Sequence, residues 1–182
     1  TVEPGLKTLA ELKKKININI EQSFENEHTK EINNSIISYF VDKTKFDAPE
    51  SMIQNYLDHI IENNKSQQPN MTEEQEKEAR DSGLEGAIFN VKWYLIKEQI
   101  VNIEKISVSK EDIDDRTKEL IDKEPQNEAS IKDFLKNPEN QQRFFDDMLS
   151  EKLFKFLTDF ANIKVNKKKS DELRKQEGAP NG

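Results

Sequence analysis

The sequence contains no cysteine, which excludes disulfides and thiolate metal sites and suits a reducing compartment. Glycine is scarce, at five residues in 182, and no Gly-rich phosphate loop or Gly-x-Ser-x-Gly nucleophile turn occurs. No apolar run approaches the roughly 18–20 residues of a membrane span, and no secretory signal pattern is visible. There is no excess of basic residues. The formal net charge is −8, so the phosphate backbone of a nucleic acid is repelled on average. Only two histidines are present, His28 and His59, and they form no His-x-x-x-His pair. His28 fills a gap in an apolar stripe, a packing position. The adjacent acids Glu73-Glu74, Asp114-Asp115 and Asp146-Asp147 point about 100° apart on a helix. They diverge instead of forming an acid/base pair and read as solvated surface. Nothing in these patterns supports catalysis or a cofactor.

What is present is charge, at 35% of residues, against 33% hydrophobic. That balance favours an elongated all-α body with much solvated surface over a dense α/β core. A long helix is expected over about 6–41. From Leu12 its apolar positions advance in steps of four: Ile16, Ile20, Phe24, then Ile32, Ile36 and Phe40. Each step overshoots a 3.6-residue turn by about 40°, so the stripe winds around the helix and its two ends should meet different neighbours. Ile16-Asn17-Ile18-Asn19-Ile20 alternates like a strand, but its flanks keep helical period.

Residues 45–53 read Lys-Phe-Asp-Ala-Pro-Glu-Ser-Met-Ile. Asp47 is the expected N-cap of the next helix, Pro49 lies in its first turn, and Phe46 is placed as a hydrophobic staple. That helix should run from about Ala48 to Asn63, with Met52, Ile53, Tyr56, Leu57, Ile60 and Ile61 on one side. Thr72 and Gln75 form a capping-box pair opening a third helix to about Ile103. It has two apolar faces: Ala87, Val91, Tyr94 and Leu95 on one, and Phe89, Trp93, Ile96 and Ile100 on the other. A helix apolar on two sides is usually sandwiched. Ser109 opens a fourth helix that stops before Pro125, with Val108 and Ile113 as a staple pair. A short helix is expected near 129–136, and Asn137-Pro138 starts a last one over 138–160. Six of the ten phenylalanines fall between Phe134 and Phe160, which marks this stretch as the place to look for adhesive surface. Residues 166–182 are Lys-rich and read as a charged flexible tail. The chain begins at Thr1, as expected of an excised domain or a processed product.

The string at 45–53 resembles the Phe-Asp-Val-Pro-Glu-type signature in the C-terminal domain of trigger factor, the bacterial ribosome-associated chaperone. Leu6-Lys7-Thr8-Leu9-Ala10-Glu11-Leu12 resembles the segment that opens that domain. Further similarities follow in order: Ala79-Arg80 with Val91-Lys92-Trp93-Tyr94-Leu95-Ile96, Val108–Ile113, Asn137-Pro138-Glu139, Glu151–Leu157 and Ala161–Val165. The order and spacing of these pieces are more specific than any one of them. Trp93 stands where the family usually has a smaller aliphatic residue.

The resemblance implies one domain over 1–165: a long N-terminal helix, a first helical arm over about 48–105 and a second over about 109–160, together forming a cradle. It implies ATP-independent holding of unfolded or nascent polypeptides in the cytoplasm, without a cofactor. Ribosome docking and prolyl isomerisation belong to other domains of that family, whose patterns this sequence does not show. No nucleic acid or membrane partner is implied, and pairing of two copies is left open. The residues expected to touch clients are Met52, Tyr56, Phe89, Trp93, Phe144, Phe145, Met148 and Phe154. Phenylalanine and methionine suit varied partners because they adapt to many shapes. Two alternatives stand beside this reading: a helical adaptor for one defined partner, and the helical half of a periplasmic chaperone–isomerase.

Overall fold

A computed structural model describes residues 8–162. The expected tail at 166–182, and the expected helix start at Leu6, lie outside that range. Among the described residues there are six α-helices, one turn of 3-10 helix and no strand. The helices are α1 (Leu9–Lys43), α2 (Glu50–Gln67), α3 (Glu73–Glu104), α4 (Lys110–Lys123), α5 (Glu128–Phe134) and α6 (Pro138–Phe160), with the 3-10 turn at Pro125–Asn127. The fold is all-α, as composition and periodicity indicate. Two compact units divide between Ser109 and Lys110.

In the first unit, α1 is helical through Ile16–Ile20, so the local alternation gives way to the flanking period. Thr8 caps it: its hydroxyl accepts from the Glu11 N–H at 3.2 Å, while the Glu11 carboxylate accepts from the Thr8 N–H at 3.0 Å. The winding of the stripe has the anticipated consequence at one end only. Ile32, Ile36, Ile37 and Phe40 are half-buried and Val41 is buried, and α1 packs against α3. Residues 8–31 are exposed throughout, His28 included, so His28 fills no packed seam.

The α1–α2 connection departs from expectation. α2 begins at Glu50, its N-cap residue is Pro49, and no side chain caps it. The Pro49 carbonyl accepts from the Met52 and Ile53 N–H groups at 3.0 and 3.1 Å. Proline disfavours helical backbone at the residue before it, so Ala48 cannot join the helix. The start moves downstream, leaving Asp47 two residues before the cap and unable to serve as one. The staple position moves with it. Ala48, immediately before the cap, packs on the cluster containing Ile53, the residue a staple meets. Phe46 is free to turn elsewhere.

α2 and α3 form the main packed pair of this unit. Ile53, Leu57 and Ile61 recur every four residues on α2 and are all buried. Ile53 and Leu57 cluster with Ala87 and Val91 of α3, with Met52, Ile88 and Leu95 around the edge. Burial of each large aliphatic contributes about 1.5–3 kcal/mol. Close approach depends on Gly83: a Cβ there meets Leu57 Cδ2 at 3.3 Å, while one at Gly86 meets nothing within 4 Å. The Thr72–Gln75 capping box is present. α3 also contacts α1, so its two apolar faces are sandwiched as expected, although Tyr94 is 51% exposed. A charged clasp joins the pair. Lys65 lies 2.6 Å from Glu76, which also reaches Arg80 at 3.5 Å, and Arg80 lies 2.6 Å from Asp58. α3 ends at Lys105, whose φ of 54° is left-handed; the Ile106 N–H closes the turn on the Val101 carbonyl at 3.0 Å.

In the second unit, Asn137 caps α6 through the Glu139 N–H at 2.8 Å, with Pro138 in the first position. The next residues bind backward: Asn140 and Gln141 donate to the Phe134 and Leu135 carbonyls at 3.0 and 2.6 Å, satisfying the end of α5. Two ion pairs tie α4 to α6, Lys152–Asp112 at 2.6 Å and Arg116–Glu151 at 3.1 Å. Met148, Leu153 and Leu157 are the buried residues of α6. Asp114, Asp115, Asp146 and Asp147 are exposed, as are Glu73 and Glu74 in the first unit.

Candidate functional site

Each unit carries an open groove. In the first, the end of α1, the loop after it and the middle of α3 enclose about 640 Å³. Val41, Phe46, Ile88 and Phe89 supply apolar surface; Asp42, Asp47, Glu85, Lys45 and Lys92 supply charge of both signs. The loop conformation set by Pro49 brings Phe46 here, with the Lys92 ammonium 5.7 Å from its ring centroid. At that distance the cation is drawn to the ring face, which fixes a charge beside an aromatic. In the second unit, a groove of about 410 Å³ lies among α4, α5, the 3-10 turn and the start of α6. Leu120, Ile131, Phe134, Leu135 and Phe144 line it, with Glu124, Asn127 and Ser130. This groove is almost free of charge, so the two differ in the chemistry they offer.

The aromatic residues set the character of the surface. None of the ten phenylalanines, three tyrosines or the single tryptophan is buried; every one is half-buried or exposed. The core instead consists of Val, Ile, Leu, Ala and Met. Phenylalanine is ordinarily among the residue types most often buried, so its absence from the fully buried core is a property of this sequence.

The residues expected to touch clients fall into three groups. Phe89 lines the first groove and Phe144 the second. Tyr56 is exposed, while Trp93, Phe145 and Phe154 are half-buried outside these two grooves. Met52 packs on the α2–α3 cluster, and Met148 is buried at 8% exposure, where it supports the fold and offers a partner no surface in this conformation. The sequence reading passed over Phe46, Ile88 and Lys92 in the first groove, and Ile131, Phe134 and Leu135 in the second, as contact residues. Phe46 had been assigned to a staple. Phe134 lay within the phenylalanine-rich stretch, and that density was its signal.

Among the described residues, no three His, Asp or Glu side chains gather as a metal ion requires. Glu25 and His28 are three apart on α1, but both are exposed and lack a third ligand. The shifted ionisations belong to the clasp. The Lys65 ammonium hydrogen-bonded to Glu76 holds that carboxyl below its ordinary value, and Asp58 raises the Arg80 guanidinium. Both are structural pairs on the α2–α3 seam. No described helix is long and apolar enough to cross a membrane.

Comparison with known proteins covers nearly all of the described chain. The family model for the bacterial trigger factor protein C-terminus matches residues 8–159. Trigger factor of Syntrophotalea carbinolica is 27% identical over 95% of this chain and 41% of its own length. Trigger factor of Leptospira interrogans serovar copenhageni is 25% identical over 93% of this chain and 39% of its own. That of Dehalococcoides mccartyi is 24% identical, over 98% and 43%. The chain thus spans about two-fifths of the length of these relatives. No solved structure matches it. With a family match running from the cap of α1 to the last turn of α6, the chain belongs to the family of the bacterial trigger factor C-terminus.

Proposed function

We propose that this chain is a molecular-chaperone domain that holds unfolded or nascent polypeptides, without ATP, against the apolar residues of its two grooves. Family membership supports a chaperone-type role. The observation that carries the more specific reading is that no aromatic side chain is buried. A domain whose rings all keep some exposure has apolar area to offer a partner, and the charge around it opposes self-aggregation.

The mechanism follows from the areas involved. A client segment that buries a few hundred Å² of apolar surface in one groove gains several kcal/mol, at about 25 cal/mol per Å², before ordering costs. Each contact is then weak and rapidly reversible. Two grooves on one chain raise the effective concentration of the second contact once the first is made. The first groove is shared between the end of α1 with the loop after it and the first arm, about 48–105, while the second arm, about 109–160, supplies the other. Nascent chains as clients and the cytoplasm as compartment are part of the same proposal.

The test is suppression of aggregation. A chemically unfolded model protein is diluted with and without this chain and followed by light scattering, using F89E and F134E as groove variants. Stoichiometric, nucleotide-independent suppression, weakened in both variants while helicity is retained, supports holding. Absence of suppression at several-fold excess contradicts it and favours an adaptor with one folded partner.

A further inference from the structure

The side of the first groove that carries Phe46 is built unlike its other sides. Val41 belongs to α1, and Ile88, Phe89 and Lys92 belong to α3, where helical hydrogen bonds fix the backbone. Phe46 stands on the connection between α1 and α2. The last hydrogen bond before it runs from the Thr44 N–H to the Phe40 carbonyl at 3.0 Å, and the next along the chain are those accepted by the Pro49 carbonyl. Among the described residues, none fixes the backbone of residues 45–47. The Phe46 ring is half-buried nonetheless, with the Lys92 ammonium 5.7 Å from its centroid. That ammonium forms no ion pair among the described residues, although Asp42, Asp47 and Glu85 line the same groove. The seat of Phe46 therefore depends on apolar cover and on one cation, both of which an aromatic side chain from elsewhere also satisfies.

We propose that Phe46 is an internal occupant of the first groove: its ring holds the place beside Lys92 until a ring from outside takes it, and Phe46 swings out as that ring enters. That the incoming ring belongs to an unfolded polypeptide rests on the holding function proposed above. The exchange breaks no backbone hydrogen bond at residues 45–47. It trades one ring beside an ammonium for another, so the two states differ little in the contacts they make. The consequence is competition within the chain. If Phe46 is seated in about nine molecules of ten, the observed dissociation constant is about tenfold above that of the open groove. Each return of Phe46 also helps to expel the client ring, which keeps holding at this groove short-lived.

Fluorine NMR on the 182-residue chain labelled with 4-fluorophenylalanine reads the exchange directly, the Phe46 signal being identified by its loss in F46L. Two probes are titrated: N-acetylphenylalaninamide, which requires no chaperone activity, and a permanently unfolded polypeptide. Each is expected to move the Phe46 signal toward that of a solvated ring, and K92M should move it the same way with no probe present. In parallel, fluorescence anisotropy of the labelled polypeptide is measured in an F134E background, which leaves the first groove as the reader. F46A should bind about three- to tenfold tighter than its F134E parent, with helicity unchanged, whereas F89E should bind more weakly. A Phe46 signal that neither probe moves overturns the exchange. So does an F46A variant that binds no tighter than its parent, which makes Phe46 a fixed contact. Polypeptide binding with Phe46 still seated leaves the holding function standing and the exchange refuted. An amide that releases Phe46 where no polypeptide binds supports the exchange and refutes holding.

Discussion

The α2–α3 pair and the α5–α6 region use apolar residues in opposite ways. In the first, Ile53, Leu57, Ala87 and Val91 form one closed cluster, a glycine lets the helices approach, and a charged clasp seals the edge. In the second, six phenylalanines occupy a 27-residue span from Phe134 to Phe160 and none is buried; the interior residues of α6 are Met148, Leu153 and Leu157. Phe156 and Phe160 even lie against one another at a tilt, with ring centroids 4.9 Å apart, while Phe160 remains 78% exposed. The difference teaches that hydrophobicity and burial are divided by shape in these two regions. There, aliphatics at a four-residue repeat hold the fold, and rings at the flanking positions keep exposed area for contact.

The sharpest way to break that division is to exchange its two classes. Leu57→Ala and Leu153→Ala remove side chains that are 2% and 0% exposed, and each should cost about 2–5 kcal/mol in chemical denaturation. Neither should alter the affinity of the folded protein for an unfolded polypeptide. Phe134→Ser should do the reverse: stability within about 0.5 kcal/mol of the parent, because the ring is 54% exposed, but holding weakened about tenfold. A large stability loss at Phe134 contradicts the division.

Smaller effects sharpen the account of the first unit. Lys105→Gly should stabilise by about 0.5–1 kcal/mol, since only glycine adopts φ 54° without a Cβ penalty. Gly86→Ala should stabilise by a similar amount, as a Cβ there meets open space. Gly83→Ala should gain less or lose, because Leu57 is buried and must shift to admit the methyl. Equal melting temperatures for the two alanine variants sink the proposed role of Gly83. The smallest effect is in acid. Glu76 has its carboxyl held below the ordinary value of 4.5, so its contribution is present above that pH and is lost as pH falls through the lower folded value. Glu76→Gln should therefore flatten the acid limb of the stability profile and leave its shape near neutrality unchanged. Arg80, raised further above an already basic value, stays charged across the range.

Much of the fold is legible in sequence because local chemistry writes it there. The Thr72–Gln75 box and Asn137-Pro138 mark the starts of α3 and α6, and Pro125 falls just after the end of α4. The Thr8–Glu11 box was equally legible, since a threonine followed three residues later by glutamate is the same signal. Asp47 shows where local rules compete: a good capping side chain loses to a proline two residues later that sets where the helix begins. The grooves are less legible. Phe89 and Phe144 stand out by residue type, but Met148 and Met52 look equally adhesive, and only packing separates inner methionines from outer rings. Phe46 and Ile88 line one groove from positions more than forty residues apart, a proximity that periodicity does not encode.

The division between inner aliphatics and outer rings is tested most directly by NMR on the protein labelled at phenylalanine rings and leucine methyls, titrated with a permanently unfolded polypeptide. The account predicts shifts at Phe46, Phe89, Phe134 and Phe144, with the methyls of Leu57 and Leu153 unmoved. Rings that stay silent while those methyls shift, or a spectrum that does not respond at all, contradict it.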